Sequence, residues 1–80
     1  MYPVWLRSGK DVIYVYMDGD EKKMETYEMN GDTSVYRGTQ TCSHDLSDME
    51  PLKGPWLAEM QKRRRRRLQG VGKLGQPKLF

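Results

Sequence analysis

The stretch of sequence that decides the fold is Asp11-Val12-Ile13-Tyr14-Val15-Tyr16-Met17. Nearly every position in it is β-branched or aromatic, which is typical of a strand that is central in a sheet or covered on both faces. The turn sequence Asp18-Gly19-Asp20 follows at once, and glycine there indicates a hairpin because it adopts positive φ without steric cost. The segment therefore predicts a central strand that ends in a tight turn.

Similar segments flank this strand. Residues 23–29 alternate, with Met24, Thr26 and Glu28 on one face and Glu25, Tyr27 and Met29 on the other. A second hairpin signal at residues 30–32 leads into a strand at 33–37, and residues 4–7 form a short strand before the central one. Four short strands joined by tight turns predict an antiparallel meander.

The pattern changes after residue 38. Ser47 or Asp48 is predicted to cap a single turn that carries Met49 and that Pro51 ends. Pro55 then stands in the favoured first-turn position of a helix over residues 56–68, which Gly70 is predicted to end.

Together these segments predict an α+β fold, mostly β. It is a four- to five-stranded antiparallel meander or SH3-like small barrel with one C-terminal helix. The layout resembles that of SH3-like barrels and of several small nucleic-acid-binding modules, but layout alone does not determine function. Residues 1–61 are predicted to be a small β-rich domain with the start of the helix, and residues 62–68 a basic extension of that helix. Residues 69–80 contain three glycines and a proline and are predicted to be a flexible tail.

Charge is distributed very unevenly along the chain. The 80 residues have a formal net charge of +3, but residues 1–60 total −5 and residues 61–80 total +8. Such asymmetry indicates that the C-terminal part has a polyanionic partner.

The basic segment is predicted to bind nucleic acid, DNA or RNA, largely without sequence specificity. Its contact residues are predicted to be Lys62, Arg63, Arg64, Arg65, Arg66, Arg67 and Lys73. Arginine binds phosphate oxygens in a bidentate fork, whereas arginines four residues apart repel one another and fray a free helix. Trp56, Leu57, Met60 and Leu68 share one helical face, and Arg63, Arg64 and Arg67 also share a face, so we expect only the first two turns to dock on the sheet. The second half is then expected to leave the body or to face something anionic.

Other interpretations of the basic segment remain open. They are a solvated charge run, a nuclear-localisation segment, a contact for acidic proteins, and an intramolecular contact with the acidic sheet residues 18–28. A membrane-surface segment is a weaker alternative, because no lipidation site or amphipathic apolar face accompanies the cations. No membrane association is therefore expected.

The last five residues, Gln76-Pro77-Lys78-Leu79-Phe80, resemble the bacterial sliding-clamp-binding peptide. In that peptide a glutamine is followed, after two variable positions, by Leu-Phe. The resemblance implies that Gln76 hydrogen-bonds at the rim of a clamp pocket and that Leu79 and Phe80 fill its apolar part. Pro77 departs from the motif, which prefers a hydrophobic residue there. The resemblance covers five residues only.

No catalytic, metal or cofactor site is predicted. Cys42 and His44 are the single cysteine and the single histidine, whereas a zinc site needs about four ligands. Cys42 is expected to be a buried free thiol. The aromatic residues Trp5, Tyr14, Tyr16, Tyr27 and Tyr36 are expected to serve mainly in packing, with base stacking as the alternative.

The sequence thus predicts a small, non-enzymatic, cytoplasmic protein, nuclear if the source is eukaryotic. Its predicted role is that of a nucleic-acid-binding accessory protein in bacterial or phage replication or repair. The alternative is a protein-interaction module that binds or inhibits a cellular protein, with the basic arm secondary.

Overall fold

Five strands and one helix make up the fold. The computed structural model describes residues 2–43 and 45–75, with side chains as far as residue 70. The elements are β1 (Val4–Ser8), β2 (Asp11–Asp18), β3 (Glu21–Asn30), β4 (Thr33–Thr41), β5 (Glu50–Pro51) and α1 (Pro55–Gly75).

The strands form one antiparallel sheet in the order β4-β3-β2-β1-β5. This confirms the predicted class, a mostly β meander with one C-terminal helix. Both hairpin signals are also confirmed, because Gly19 and Gly31 lie between paired strands with φ of 64° and 60°. Only glycine adopts this left-handed conformation without a steric penalty from Cβ.

The single turn predicted before Pro51 is present, because the Met49 N–H donates to the Leu46 carbonyl oxygen at 3.1 Å. The role predicted for Pro51 is incomplete, since Glu50 and Pro51 form β5, which pairs with Arg7 and Leu6 of β1. Proline is tolerated there because β5 lies at the sheet edge, where one side of the strand has no ladder partner. The next residue fixes the pairing, since the Leu52 N–H donates to the Trp5 carbonyl oxygen at 3.0 Å.

The helix is longer than predicted. It continues past Gly70 to Gly75, so the predicted end at Gly70 is wrong, and residues 69–75 are helical. Gly70 does not adopt positive φ and therefore is not a left-handed helix cap. A glycine inside a helix costs only about 1 kcal/mol relative to alanine, which is not enough to end it. Among residues 2–43 and 45–75, no helix combines the length and the apolar character needed to cross a membrane.

Apolar side chains lie on both faces of the sheet. On one face, Leu6, Ile13, Val15 and Met24 pack with Cys42, and Leu46 and Met49 lie against them. Because β4 and β5 lie at opposite edges of the sheet, the chain between them crosses this face and covers it. The buried free thiol expected of Cys42 is confirmed.

The other face of the sheet holds the helix. Its buried cluster consists of Trp5, Val12, Tyr27, Met29, Leu52 and Met60, with Tyr14, Trp56 and Leu57 packed against it. Met60 is fully buried, so the first two turns dock as predicted. Leu68 is 44% exposed and takes no part in docking. The second half of the helix must therefore be held by its other side chains.

Candidate nucleic-acid interface

Helical periodicity divides the basic run into two sets. Arg63, Arg64 and Arg67 point toward the sheet, with side chains 22%, 23% and 21% exposed; we call them the inner arginines. Lys62, Arg65 and Arg66 are exposed on the opposite side of the helix; we call them the outer cations. The inner arginines continue the stripe begun by Met60, at spacings of three and four residues.

Glu25 of β3 is the counter-charge for the inner arginines. Its side chain is only 4% exposed, on the same sheet face as Tyr27 and Met29. Arg64 donates to both of its oxygens, from Nε and Nη2, at 2.9 Å each. Arg67 Nη2 lies 3.0 Å from Oε1, and the Tyr27 hydroxyl donates to the same oxygen at 2.7 Å. The carboxylate therefore contacts three donor side chains, and both of its oxygens accept a hydrogen bond.

Aromatic rings complete the surroundings of the inner arginines. The guanidinium carbon of Arg64 lies 4.1 Å from the centroid of the Tyr14 ring, and that of Arg67 lies 3.9 Å from the centroid of Tyr36. These cation–π contacts add attraction and shield the charges from water. Two rings considered for base stacking are therefore each occupied on one face by an arginine of the same chain.

Arg63 fastens the helix to the turn between β3 and β4. Its Nε donates to Glu59 Oε2 at 2.8 Å, its Nη1 to Ser34 Oγ at 3.0 Å, and its Nη2 to the Asp32 carbonyl oxygen at 2.7 Å. Its guanidinium also lies 5.3 Å from the Trp56 ring centroid. Each of the three nitrogens thus has a partner inside the protein.

The expectation that the second half of α1 leaves the body is wrong. That half is docked, because Glu25 supplies a buried negative charge where Arg64 and Arg67 cross the sheet. Intramolecular docking on the acidic sheet was among the open interpretations, and it occurs at this one carboxylate. Three other sheet acids bind cations of the sheet itself, since Asp18 and Glu21 lie 3.1 and 3.9 Å from Lys23 and Glu28 pairs with Arg37. The sequence signal was an acid on the inward face of an alternating strand.

The ionisation of Glu25 is shifted by these contacts. Burial opposes its charge, but the hydrogen bonds from Arg64 and Tyr27 and the positive charges of Arg64 and Arg67 outweigh burial, so the pKa of Glu25 lies below its usual 4.5. Burial, and then the hydrogen bond to Glu25, raise the pKa of Tyr27 well above its usual 10.0. At neutral pH the pair is therefore a carboxylate and a protonated phenol.

A depressed pKa at Glu25 makes stability sensitive to acid. A carboxylate whose pKa is lower in the folded state stabilises the fold fully above its unfolded pKa, and that contribution is lost as pH falls through the folded value. We therefore expect the urea midpoint to stay level above about pH 5 and to fall at lower pH. The exposed Asp45 accepts a hydrogen bond from the Ser47 N–H and provides a control. The acid sensitivity should persist in Asp45→Asn, and its disappearance there would contradict the assignment to Glu25.

The outer cations have a different environment. Within the described part of the chain, no carboxylate oxygen lies within 4.0 Å of the charged nitrogens of Lys62, Arg65 or Arg66. They span about 6 Å along the helix axis. Arg66 lines a cleft of about 440 Å³ on one side of α1, and Arg65 lines one of about 340 Å³ on the other. The outer face of α1 is thus a cationic ridge between two clefts.

The remaining predicted site residues lie elsewhere. Lys73 belongs to α1, but its side chain is outside the described residues. Gln76, Leu79 and Phe80 of the clamp-like peptide also lie outside them, as does His44. Among residues 2–43 and 45–75, no cluster of three or more His, Cys, Asp and Glu side chains has the arrangement of a metal site.

The geometry is the main guide to what this surface does. Comparisons with protein families, with curated proteins and with solved structures find no match to this chain.

Proposed function

We propose that the protein binds nucleic acid, DNA or RNA, through the outer face of α1, without marked sequence specificity. Lys62, Arg65 and Arg66 contact phosphates, while the inner arginines hold the helix in place. The observation that supports this most is the exposure of three neighbouring cations without a carboxylate partner among the described residues. Three neighbouring cations on the outer face of a docked helix attract a partner that carries several negative charges, and nucleic acid is such a polyanion.

Docking of the helix favours binding. A frayed arginine arm would lose conformational freedom when it bound, and this loss would weaken the affinity. Here Glu25 and the tyrosines already hold the second half of α1 against the sheet. Exposed arginines on such a helix can bind phosphate oxygens with little further ordering. Because phosphates are the same in every sequence, we expect little discrimination between bases.

The accessory role in replication or repair belongs to the same proposal. It is supported by the resemblance of Gln76, Leu79 and Phe80 to the clamp-binding peptide. That resemblance remains a prediction from sequence.

Salt dependence of binding tests the proposal. Each phosphate contact on duplex DNA contributes about −0.9 to the slope of log K against log salt. Three outer cations predict a slope of about −2.7, or about −3.6 if Lys73 adds a fourth contact, against about −5 or steeper for the whole basic run. The measurement is fluorescence anisotropy with single-stranded DNA, duplex DNA and RNA over a range of salt concentrations.

The outcomes of that titration are distinct. A duplex slope steeper than about −5 would mean that the inner arginines also leave the sheet to bind phosphate. Absence of measurable affinity for all three nucleic acids at low salt would overturn the proposal. The alternative, a body that binds a cellular protein, would then stand in its place.

A further inference from the structure

We propose that the cleft between α1 and β4 binds a phosphate group of a single-stranded nucleic acid, held by Arg66, Arg67 and the Ser34 hydroxyl. The inference rests on the proposed function and adds a second site to it. The outer cations bind the strand along the helix, and the cleft takes one phosphate beside it.

The cleft has the volume of a small-ligand site and a polar, charged lining. Its volume of about 440 Å³ lies within the usual range for ligand pockets. Three arginines and two carboxylates contribute to the lining, so its charged side chains sum to +1. The lining residues are Tyr27, Asp32, Thr33, Ser34, Tyr36, Glu59, Arg63, Arg66 and Arg67.

Arg67 makes fewer contacts with Glu25 than Arg64 does. Glu25 already receives a bidentate fork from Arg64 and a hydrogen bond from Tyr27, and Arg67 adds one contact at 3.0 Å. If the guanidinium of Arg67 turned toward the cleft, Glu25 would therefore keep donors on both oxygens. Arg63 differs, since its three nitrogens all have partners.

Arg67 also has an unused donor. Its Nε is buried, and among the described residues it has no hydrogen-bond partner. Buried polar groups in folded proteins are nearly always paired, so Arg67 gains a hydrogen bond if its guanidinium turns toward an acceptor. A phosphate oxygen in the cleft would be that acceptor once the side chain turns, and a guanidinium binds phosphate through two parallel hydrogen bonds.

Two further possible donors line the same cleft. Arg66 lines it and is exposed. Ser34 Oγ accepts a hydrogen bond from Arg63, so its own proton is directed elsewhere and can be donated. The two carboxylates restrict the position of an anion. Glu59 is paired with Arg63, and Asp32 lies with Glu59 in the lining, so the phosphate is placed at the end formed by Arg66 and Arg67.

A single strand suits this geometry better than a duplex. Arg66 belongs both to the outer face of α1 and to the cleft, so a strand on the outer cations has its next phosphate near the opening. A flexible single strand can turn one phosphate into the cleft, whereas a duplex holds its backbone in a regular path. Tyr36 at the cleft is 37% exposed, which leaves room for the sugar or base beside the phosphate.

The test follows the Arg67 Nε–Hε signal by NMR in the full chain. A short single-stranded oligo-thymidylate is expected to shift this signal and the Ser34 amide, in the same titration that shifts the amides of α1. The variant Arg67→Gln should weaken oligo-thymidylate binding by about tenfold, the value of one charge-assisted contact, and change duplex affinity by less than about twofold. Ser34→Ala provides a second variant that spares the Glu25 contacts, and it should weaken single-strand binding in the same direction.

The outcomes distinguish the cleft site from the proposed function on which it rests. If oligo-thymidylate binds to α1 while the Arg67 and Ser34 signals stay unmoved, the cleft is not a phosphate site and the proposed function still stands. If inorganic phosphate alone saturates both signals at the same concentration as the oligonucleotide, the cleft binds free phosphate and the assignment to a single strand is overturned. If no oligonucleotide binds, both proposals fall together.

Discussion

Replacement of Glu25 by glutamine is expected to lower the free energy of unfolding by about 3 kcal/mol, the cost of removing one partner of a buried ion pair. The amide removes the negative charge, while Arg64 and Arg67 stay at 23% and 21% exposure with no other carboxylate within reach among the described residues. Two partly buried cations, which both contact Oε1 of Glu25 in the parent protein, then lie close together without a counter-charge. A domain of this size has a total stability of only about 4–12 kcal/mol, so a large share of it is lost. Urea unfolding at pH 7 measures the change.

The matched control for Glu25→Gln is Glu28→Gln, on the same strand. Glu28 pairs with Arg37, whose side chain is 59% exposed, and exposed ion pairs contribute about 0–1 kcal/mol. The same chemical change is therefore expected to lower the free energy of unfolding much less at position 28. Equal losses in the two variants would show that burial of the Glu25 ion pair adds nothing to stability.

Removal of the whole ion cluster should behave differently from removal of its anion. The quadruple variant Glu25→Leu, Tyr27→Phe, Arg64→Leu, Arg67→Met turns the contact into an apolar one, because it also removes the Tyr27 hydroxyl that donates to Glu25. Such replacements are often neutral or stabilising. We expect its stability to lie within about 1 kcal/mol of the parent protein. The charged cluster then serves to set the position of the helix on the sheet. A shift of the helix along the sheet would separate Arg64 and Arg67 from Glu25, so the contacts favour one position.

The strands could be predicted because local sequence determines them. The run of β-branched and aromatic residues around Val12 and Val15 favours a strand wherever it lies, and Gly19 and Gly31 mark the turns. β5 could not be predicted in the same way, because its two residues, Glu50 and Pro51, have no local pattern. It exists through pairing with β1, which is a tertiary contact.

The docking of the basic run was left open for a different reason. The helical wheel places Arg63, Arg64 and Arg67 on one face, but only the apolar residues were expected to dock, so the docked face was taken to end at Met60. Arg64 and Arg67 lie on that face at the next turns, and burial becomes favourable for them because Glu25 and the rings of Tyr14 and Tyr36 meet them there. The alternation of β3 had placed Glu25 beside Tyr27 and Met29. A charged residue on an inward strand face next to an arginine-rich helix indicates such a pairing.

The second large effect is expected from the outer cations. Changing Lys62, Arg65 and Arg66 to glutamine should remove most of the affinity for nucleic acid at 50 mM salt. With a salt slope of about −2.7, three phosphate contacts strengthen binding by about 10³-fold when the salt concentration falls from 1 M to 50 mM. The variant lacks these contacts and is expected to lose this part of the affinity. The salt slope should fall toward zero as well. Anisotropy titrations of the variant and the parent protein measure both changes.

Two comparisons show whether that loss belongs to the outer face of α1. The exposed cations Arg7, Lys10 and Lys53 lie outside α1, and changing these three to glutamine alters the net charge by the same amount. Since long-range attraction between exposed charges is screened within about 8 Å at physiological salt, this control should keep most of the affinity and most of the slope. The outer variant should also retain its urea midpoint, because exposed substitutions usually change stability by at most about 0.5 kcal/mol. Equal losses in the two triple variants would mean that net charge, and not the ridge of Lys62, Arg65 and Arg66, attracts the polyanion.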